Sequence, residues 1–74
     1  MSAPRIWRTL SRRVCPAGPG RQIVVELAML DGESVVSVRT WFAGRPSRRG
    51  VVVPVALAPL VLDALAEAVR RAGQ

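Results

Sequence analysis

Two ten-residue runs with a two-residue hydrophobic period, Arg21–Leu30 and Glu33–Phe42, flank an Asp31–Gly32 pair. That arrangement constrains the fold more than any other stretch. In R-Q-I-V-V-E-L-A-M-L, Ile23, Val25, Leu27 and Met29 share one side, and Gln22, Val24, Glu26 and Ala28 share the other. Side chains alternate across a strand, so this is the pattern of a half-buried strand. Asp-Gly is the strong short signal for a hairpin turn. In the second run, Val36, Val38, Thr40 and Phe42 fall on one face and Val35, Ser37, Arg39 and Trp41 on the other. The second face is the more polar, and Arg39 and Trp41 are expected to project from it together.

The segment A-G-R-P-S-R-R-G, residues 43–50, reads as a basic turn. Pro46 lacks an N–H and suits a turn or a sheet edge. Val51–Val53 is a short β-branched run, expected to be a strand covered on both sides and stopped by Pro54. A helix is predicted over Leu57–Ala72, with Pro59 tolerated in its first turn and Gly73 ending it. Asp63, Glu67, Arg70 and Arg71 make one narrow polar stripe, and aliphatic residues cover nearly all the rest. A helix that apolar needs burial on two sides. The sheet supplies one side, and a second copy of the chain is expected to supply the other. Residues 1–20 carry three prolines and read as a basic, partly flexible arm, in which Arg5–Leu10 alternates weakly enough for a short strand at most. Whether Trp7 packs on the core or meets a ligand is open at this level. The expected architecture is α+β: an arm over 1–20, then a domain over 21–74 with a small antiparallel sheet of three to four strands and one C-terminal helix, dimeric.

Size supports the dimer. A 74-residue chain buries only about 60–65 % of its unfolded surface, yet half of these residues are hydrophobic. A surplus of apolar residues on so small a particle favours self-association. The chain has no histidine, one cysteine (Cys15) and five acids, which removes His-containing triads, metal clusters and intrachain disulfides. A non-enzymatic protein without metal or cofactor is expected. Val51–Leu62, the longest apolar run, falls short of the roughly 20 residues of a membrane span, and the N-terminus has no apolar signal core. A cytoplasmic, nucleoid-associated location in a prokaryote, or a nuclear one in a eukaryote, follows as the expectation.

Charge is segregated along the chain. The net charge of +6 rests on eleven arginines, with no lysine, and the pI is about 11.8. Residues 39–49 contain Arg39, Arg45, Arg48 and Arg49 around Trp41–Phe42, without one acid. Guanidinium groups beside aromatic rings suit a phosphate backbone with unstacked bases. No helix is placed to read a major groove, so single strands are the expected ligand.

The ordered elements E-L-A-M-L-D-G-E-S-V-V-S-V-R-T-W-F and R-P-S-R-R-G-V-V-V-P, followed by the helix, resemble the transcriptional coactivator family called Positive Cofactor Four. The similarity covers residues 21–70, and its most specific parts are Val38–Phe42 and Arg45–Gly50. It implies a curved antiparallel sheet, a dimer closed by the helices, and binding of single-stranded DNA or RNA in contact with the transcription machinery or in DNA metabolism. By the same resemblance, Phe42 corresponds to an aromatic that stacks on a base and Arg49 to a DNA-contacting lysine. Arg39 and Trp41 correspond to the family's arginine and first aromatic, and Arg45 and Arg48 to its other basic positions. The sequence departs from the pattern at Leu30, where the family has phenylalanine, and at Asp31 and Glu33, where it has basic residues. Its loop before Arg45 is shorter, and Ala58 stands where the family has tryptophan.

Local readings compete with this one. Phe42 is in phase with Val36 and Val38, which makes it a core residue by periodicity. Arg48–Arg49 also fits a merely solvated turn, and Asp31 and Glu33 a hairpin tip. A protein-interaction dimer that offers its basic face to an acidic protein partner is the alternative function.

Overall fold

A computed structural model describes residues 6–73. Four antiparallel strands form a single curved meander in sequence order: β1 (Trp7–Pro16), β2 (Arg21–Leu30), β3 (Glu33–Phe42) and β4 (Arg45–Pro54). A short 3-10 turn, Val55–Leu57, leads into the C-terminal helix α1 (Ala58–Ala72). The expected α+β architecture is therefore present, with the full four strands.

The central hairpin forms as its alternation predicts, with Val25 opposite Val38 and Leu27 opposite Val36. Asp31 and Gly32 both take positive φ, 53° and 82°, which is the twist that a two-residue turn needs to match right-handed strands. Asp31 has a second task. Its carboxylate accepts from the Ile6 N–H at 2.9 Å, and its own N–H donates to the Ile6 carbonyl at 3.0 Å. The acidic tip thus fastens the start of β1.

Three expectations need correction, the first being that Val51–Val53 is covered on both sides: Val51 and Val52 are exposed, and the run belongs to an edge strand. Residues 7–16, read as part of an arm, form a complete strand paired along β2; residues 1–5 of that arm lie outside the described residues. The basic turn over 43–50 is also not a turn. Only Ala43 and Gly44 reverse the chain, with φ of 53° and 77°, and Arg45–Gly50 already belongs to β4. The cluster of Gly, Pro and Arg looked like loop because those residues are poor central-strand formers. They are tolerated here because β4 is an edge strand, where a missing N–H costs nothing to the ladder.

Both outer strands carry a bulge. In β1 the register shifts between Thr9 and Ser11, so Leu10 is the extra residue. In β4 it shifts between the Arg39–Gly50 and Trp41–Pro46 pairs, which leaves Ser47–Arg49 opposite Thr40. Gly50 lies close against β3. A Cβ there would meet the Val38 carbonyl oxygen at 2.7 Å and the Arg39 Cα at 3.1 Å. Since both contacts are made with elements of the sheet rather than a flexible side-chain end, Gly50→Ala is expected to destabilise the protein by about 1–3 kcal/mol. Urea unfolding checks this; a midpoint equal to wild type would show that β4 shifts freely.

The two faces of the sheet differ in an unexpected sense. The inner face carries Val24, Ala28 and Val35 together with Glu26 and Ser37, and these are the buried residues among those described; Val24 is only 1 % exposed. The outer face carries the more hydrophobic set, yet Ile23, Leu27 and Val51 are exposed. Helix α1 lies on that outer side without closing on it. A cleft of about 500 Å³ separates them, lined only by apolar residues that include Val25, Val38 and Val53 of the sheet and Val61, Leu62 and Leu65 of the helix. No residue of α1 is buried, and Leu65 is 58 % exposed. The subunit is correspondingly open. Its accessible surface is 6242 Å² for 8.0 kDa, about 1,800 Å² beyond the roughly 4,450 Å² of a compact monomer of that mass. Its radius of gyration is 14.2 Å, against about 11 Å for a compact chain of this length.

Candidate nucleic-acid interface

The inner face holds a groove of about 390 Å³, whose lining includes Trp7, Arg12, Glu26, Ser37, Arg39 and Trp41. Register explains the assembly. Arg39 and Trp41 are two apart on β3, and Glu26 faces Ser37 from β2. Arg12 faces Glu26 from β1. The bulge at Leu10 brings Trp7 and Thr9 to the same side as Arg12, although simple alternation would put Arg12 on the opposite face from them.

Glu26 is the centre of a polar chain across three strands. One carboxylate oxygen accepts from Arg12 Nε at 3.1 Å and the other from the Thr9 hydroxyl at 3.0 Å. Thr9 in turn accepts the Trp7 indole N–H at 3.0 Å. The Arg12 guanidinium sits over the Trp41 ring, 5.2 Å from its centroid, in the geometry of a cation–π contact. A buried carboxylate costs several kcal/mol unless charge and hydrogen bonds compensate it, and here both oxygens are engaged. Arg39 donates from Nη1 to the Ser47 carbonyl at 2.9 Å, which ties the inner face to the bulged part of β4.

A second hollow, of about 480 Å³, lies at the same end of the sheet on its outer side. Arg21, Ile23, Thr40, Phe42, Arg48 and Arg49 are among its walls, and Trp41 borders it as well. The bulge is held by Thr40, whose hydroxyl lies 2.6 Å from that of Ser47. The Ser47 hydroxyl also accepts the Arg49 N–H at 3.1 Å. These contacts leave the side chains of Arg48 and Arg49 exposed.

The expected site residues are therefore divided. Arg39 and Trp41 project together, as their spacing predicts, but into a groove on the more buried face. Phe42 sits on the opposite face, in phase with Val36 and Val38, yet it is 60 % exposed, because the apolar cleft with α1 does not reach that end of the sheet. Arg48 and Arg49 stand beside it, and Arg45 pairs with Phe42 across the Ala43–Gly44 turn. Arg12 and Arg21 were missed as site residues by the sequence reading, which left the role of Trp7 open. Trp7 and Arg12 depend on a bulge that no periodicity reveals, and Arg21 opposes Phe42 only through strand register.

No family model, curated protein or solved structure matches this chain. No group of histidine, cysteine or acidic residues suited to a metal ion occurs among the described residues. Among the described residues, no helix is long and apolar enough to cross a membrane.

Proposed function

We propose that this protein binds single-stranded nucleic acid, DNA foremost, with little sequence preference and as a homodimer, in transcription regulation or DNA metabolism. The observation that carries the reading is the interleaving of arginines and rings at one end of the sheet: Arg39 and Trp41 on the inner face, and Phe42, Arg21, Arg48 and Arg49 on the outer. Stacking of a base on an aromatic ring contributes about 1–3 kcal/mol and tolerates any base. Arginine supplies the phosphate contacts. A duplex has its bases already stacked, so exposed rings favour single strands. The open apolar cleft beside α1 supports the homodimer, because a second copy brings the same kind of surface to it.

Titration of the two-tryptophan, tyrosine-free chain with single- and double-stranded oligonucleotides tests the reading. Single strands are expected to quench tryptophan fluorescence and duplexes to do so far less. If each of two subunits neutralises about three phosphates, log K falls against log salt with a slope near −4. Affinity independent of salt would overturn the phosphate contacts, and equal affinity for heparin would favour a basic face that takes any polyanion, an acidic protein included.

A further inference from the structure

We infer that Arg12 is a preorganised phosphate receptor and that Glu26, an acid in the floor of a groove for a polyanion, strengthens binding by positioning it. The inference rests on the nucleic-acid reading and extends it from the β3–β4 arginines to β1 and β2. Arg12 is held on two sides, by the Glu26 carboxylate at Nε and by the face of Trp41. Its terminal nitrogens make no hydrogen bond among the described residues, and its side chain remains 47 % exposed. A guanidinium fixed at Nε presents its remaining donors as a planar fork, the shape that meets two phosphate oxygens at once. Little rotamer freedom is then left to lose on binding, and loss of such freedom is a main cost of recruiting a long cation.

The same carboxylate orients an aromatic. Through Thr9, Glu26 fixes the indole N–H of Trp7, a residue 41 % exposed on the groove wall. A phosphate on Arg12 thus has a ring on either hand, Trp41 beneath the guanidinium and Trp7 toward the hairpin tip. The acids of that tip, Asp31 and Glu33, mark where the track ends.

The sign of one substitution separates positioning from simple charge. Glu26→Gln removes a negative charge from a groove for a polyanion, so long-range electrostatics alone predicts tighter binding. Positioning predicts weaker binding, because the charge-assisted bond to Arg12 is lost and glutamine offers only one acceptor oxygen where Arg12 and Thr9 each used one. The experiment compares wild type, Glu26→Gln and Arg12→Lys for binding of a single-stranded oligonucleotide at several salt concentrations. Melting temperature and molecular mass are measured on each variant to verify the fold. In parallel, inorganic phosphate is titrated into wild type while the Arg12 Nε–H resonance is followed by NMR. Expected are a shift of that resonance with phosphate and a roughly tenfold weaker oligonucleotide complex for folded Arg12→Lys and Glu26→Gln. Unchanged binding by Arg12→Lys, tighter binding by Glu26→Gln, or an Arg12 resonance indifferent to phosphate would overturn the inference. If phosphate moves Arg12 while wild type binds no oligonucleotide, the receptor stands and the nucleic-acid reading falls. If wild type binds the oligonucleotide and Arg12→Lys binds equally well, the reverse holds.

Discussion

Leu65→Asp is expected to abolish self-association and, with it, stable folding at micromolar concentration. Leu65 lines the apolar cleft between α1 and the outer face of the sheet and is 58 % exposed in the single subunit. In a monomer, so exposed a substitution changes stability by no more than about 0.5 kcal/mol. In a dimer that closes the cleft, a carboxylate would be driven into apolar surroundings without a partner, at a cost of several kcal/mol. Each 1.4 kcal/mol is a factor of ten in the dissociation constant, so a weakening of at least about 100-fold is expected. The roughly 1,800 Å² of surface beyond that of a compact monomer gives a dimer ample area, since a standard interface takes about 800 Å² from each partner. Sedimentation equilibrium and concentration-dependent melting measure the effect, because a subunit stabilised by its partner melts higher when concentrated. Leu65→Met serves as the control and should stay dimeric. A Leu65→Asp protein with wild-type mass and melting temperature would show that α1 is simply a solvated helix. The Glu67–Arg71 pair at 3.0 Å does not rescue such a helix, since exposed pairs of this kind contribute only about 0.3–0.5 kcal/mol.

The second large effect is expected on binding alone. Arg48→Ala with Arg49→Ala should weaken the complex with single-stranded DNA about 10- to 100-fold at low salt. Two phosphate contacts per subunit are removed at about 0.7 of slope each, so the salt slope of a dimer should flatten by nearly 3. Stability should hardly change. The bulge in β4 uses the Arg49 backbone N–H and carbonyl, bonded to Ser47 and Thr40, and alanine retains both. The readouts are a salt-dependent gel shift or anisotropy titration and a thermal melt of the same preparation. An unaltered slope with unaltered affinity would reduce this edge of the sheet to solvated charge, leaving the inner groove as the place to look. Loss of affinity for an acidic protein with DNA binding intact would favour the alternative function.

The central hairpin and the helix were legible because each depends on local signals of known period. Alternation over Arg21–Leu30 and Glu33–Phe42 set the pairing of β2 with β3, and Asp31–Gly32 supplied the turn. Pro59 falls at the first turn of α1, where its missing N–H has no partner to lose. β1 was not legible, because its bulge at Leu10 breaks the period that would have announced it. β4 was hidden by Gly, Pro and Arg, which look like loop until the strand is known to be an edge.

Phe42 shows the division most clearly. Its phase along β3 is a property of the sequence, and it fell on the side that the alternation assigns. Its exposure is not such a property, since that depends on how far the outer apolar cleft extends along the sheet. By itself the sequence determined the elements that follow from local backbone preference and side-chain period, namely the β2–β3 hairpin, the apolar C-terminal helix and the segregation of arginine from acid. Only the tertiary structure decided that Glu26 joins Arg12, Thr9 and, through them, Trp7 and Trp41 in one groove. Those residues are up to 34 positions apart, and bringing them onto one face takes a strand register and a bulge, which are set by pairing between distant segments rather than by any of them alone.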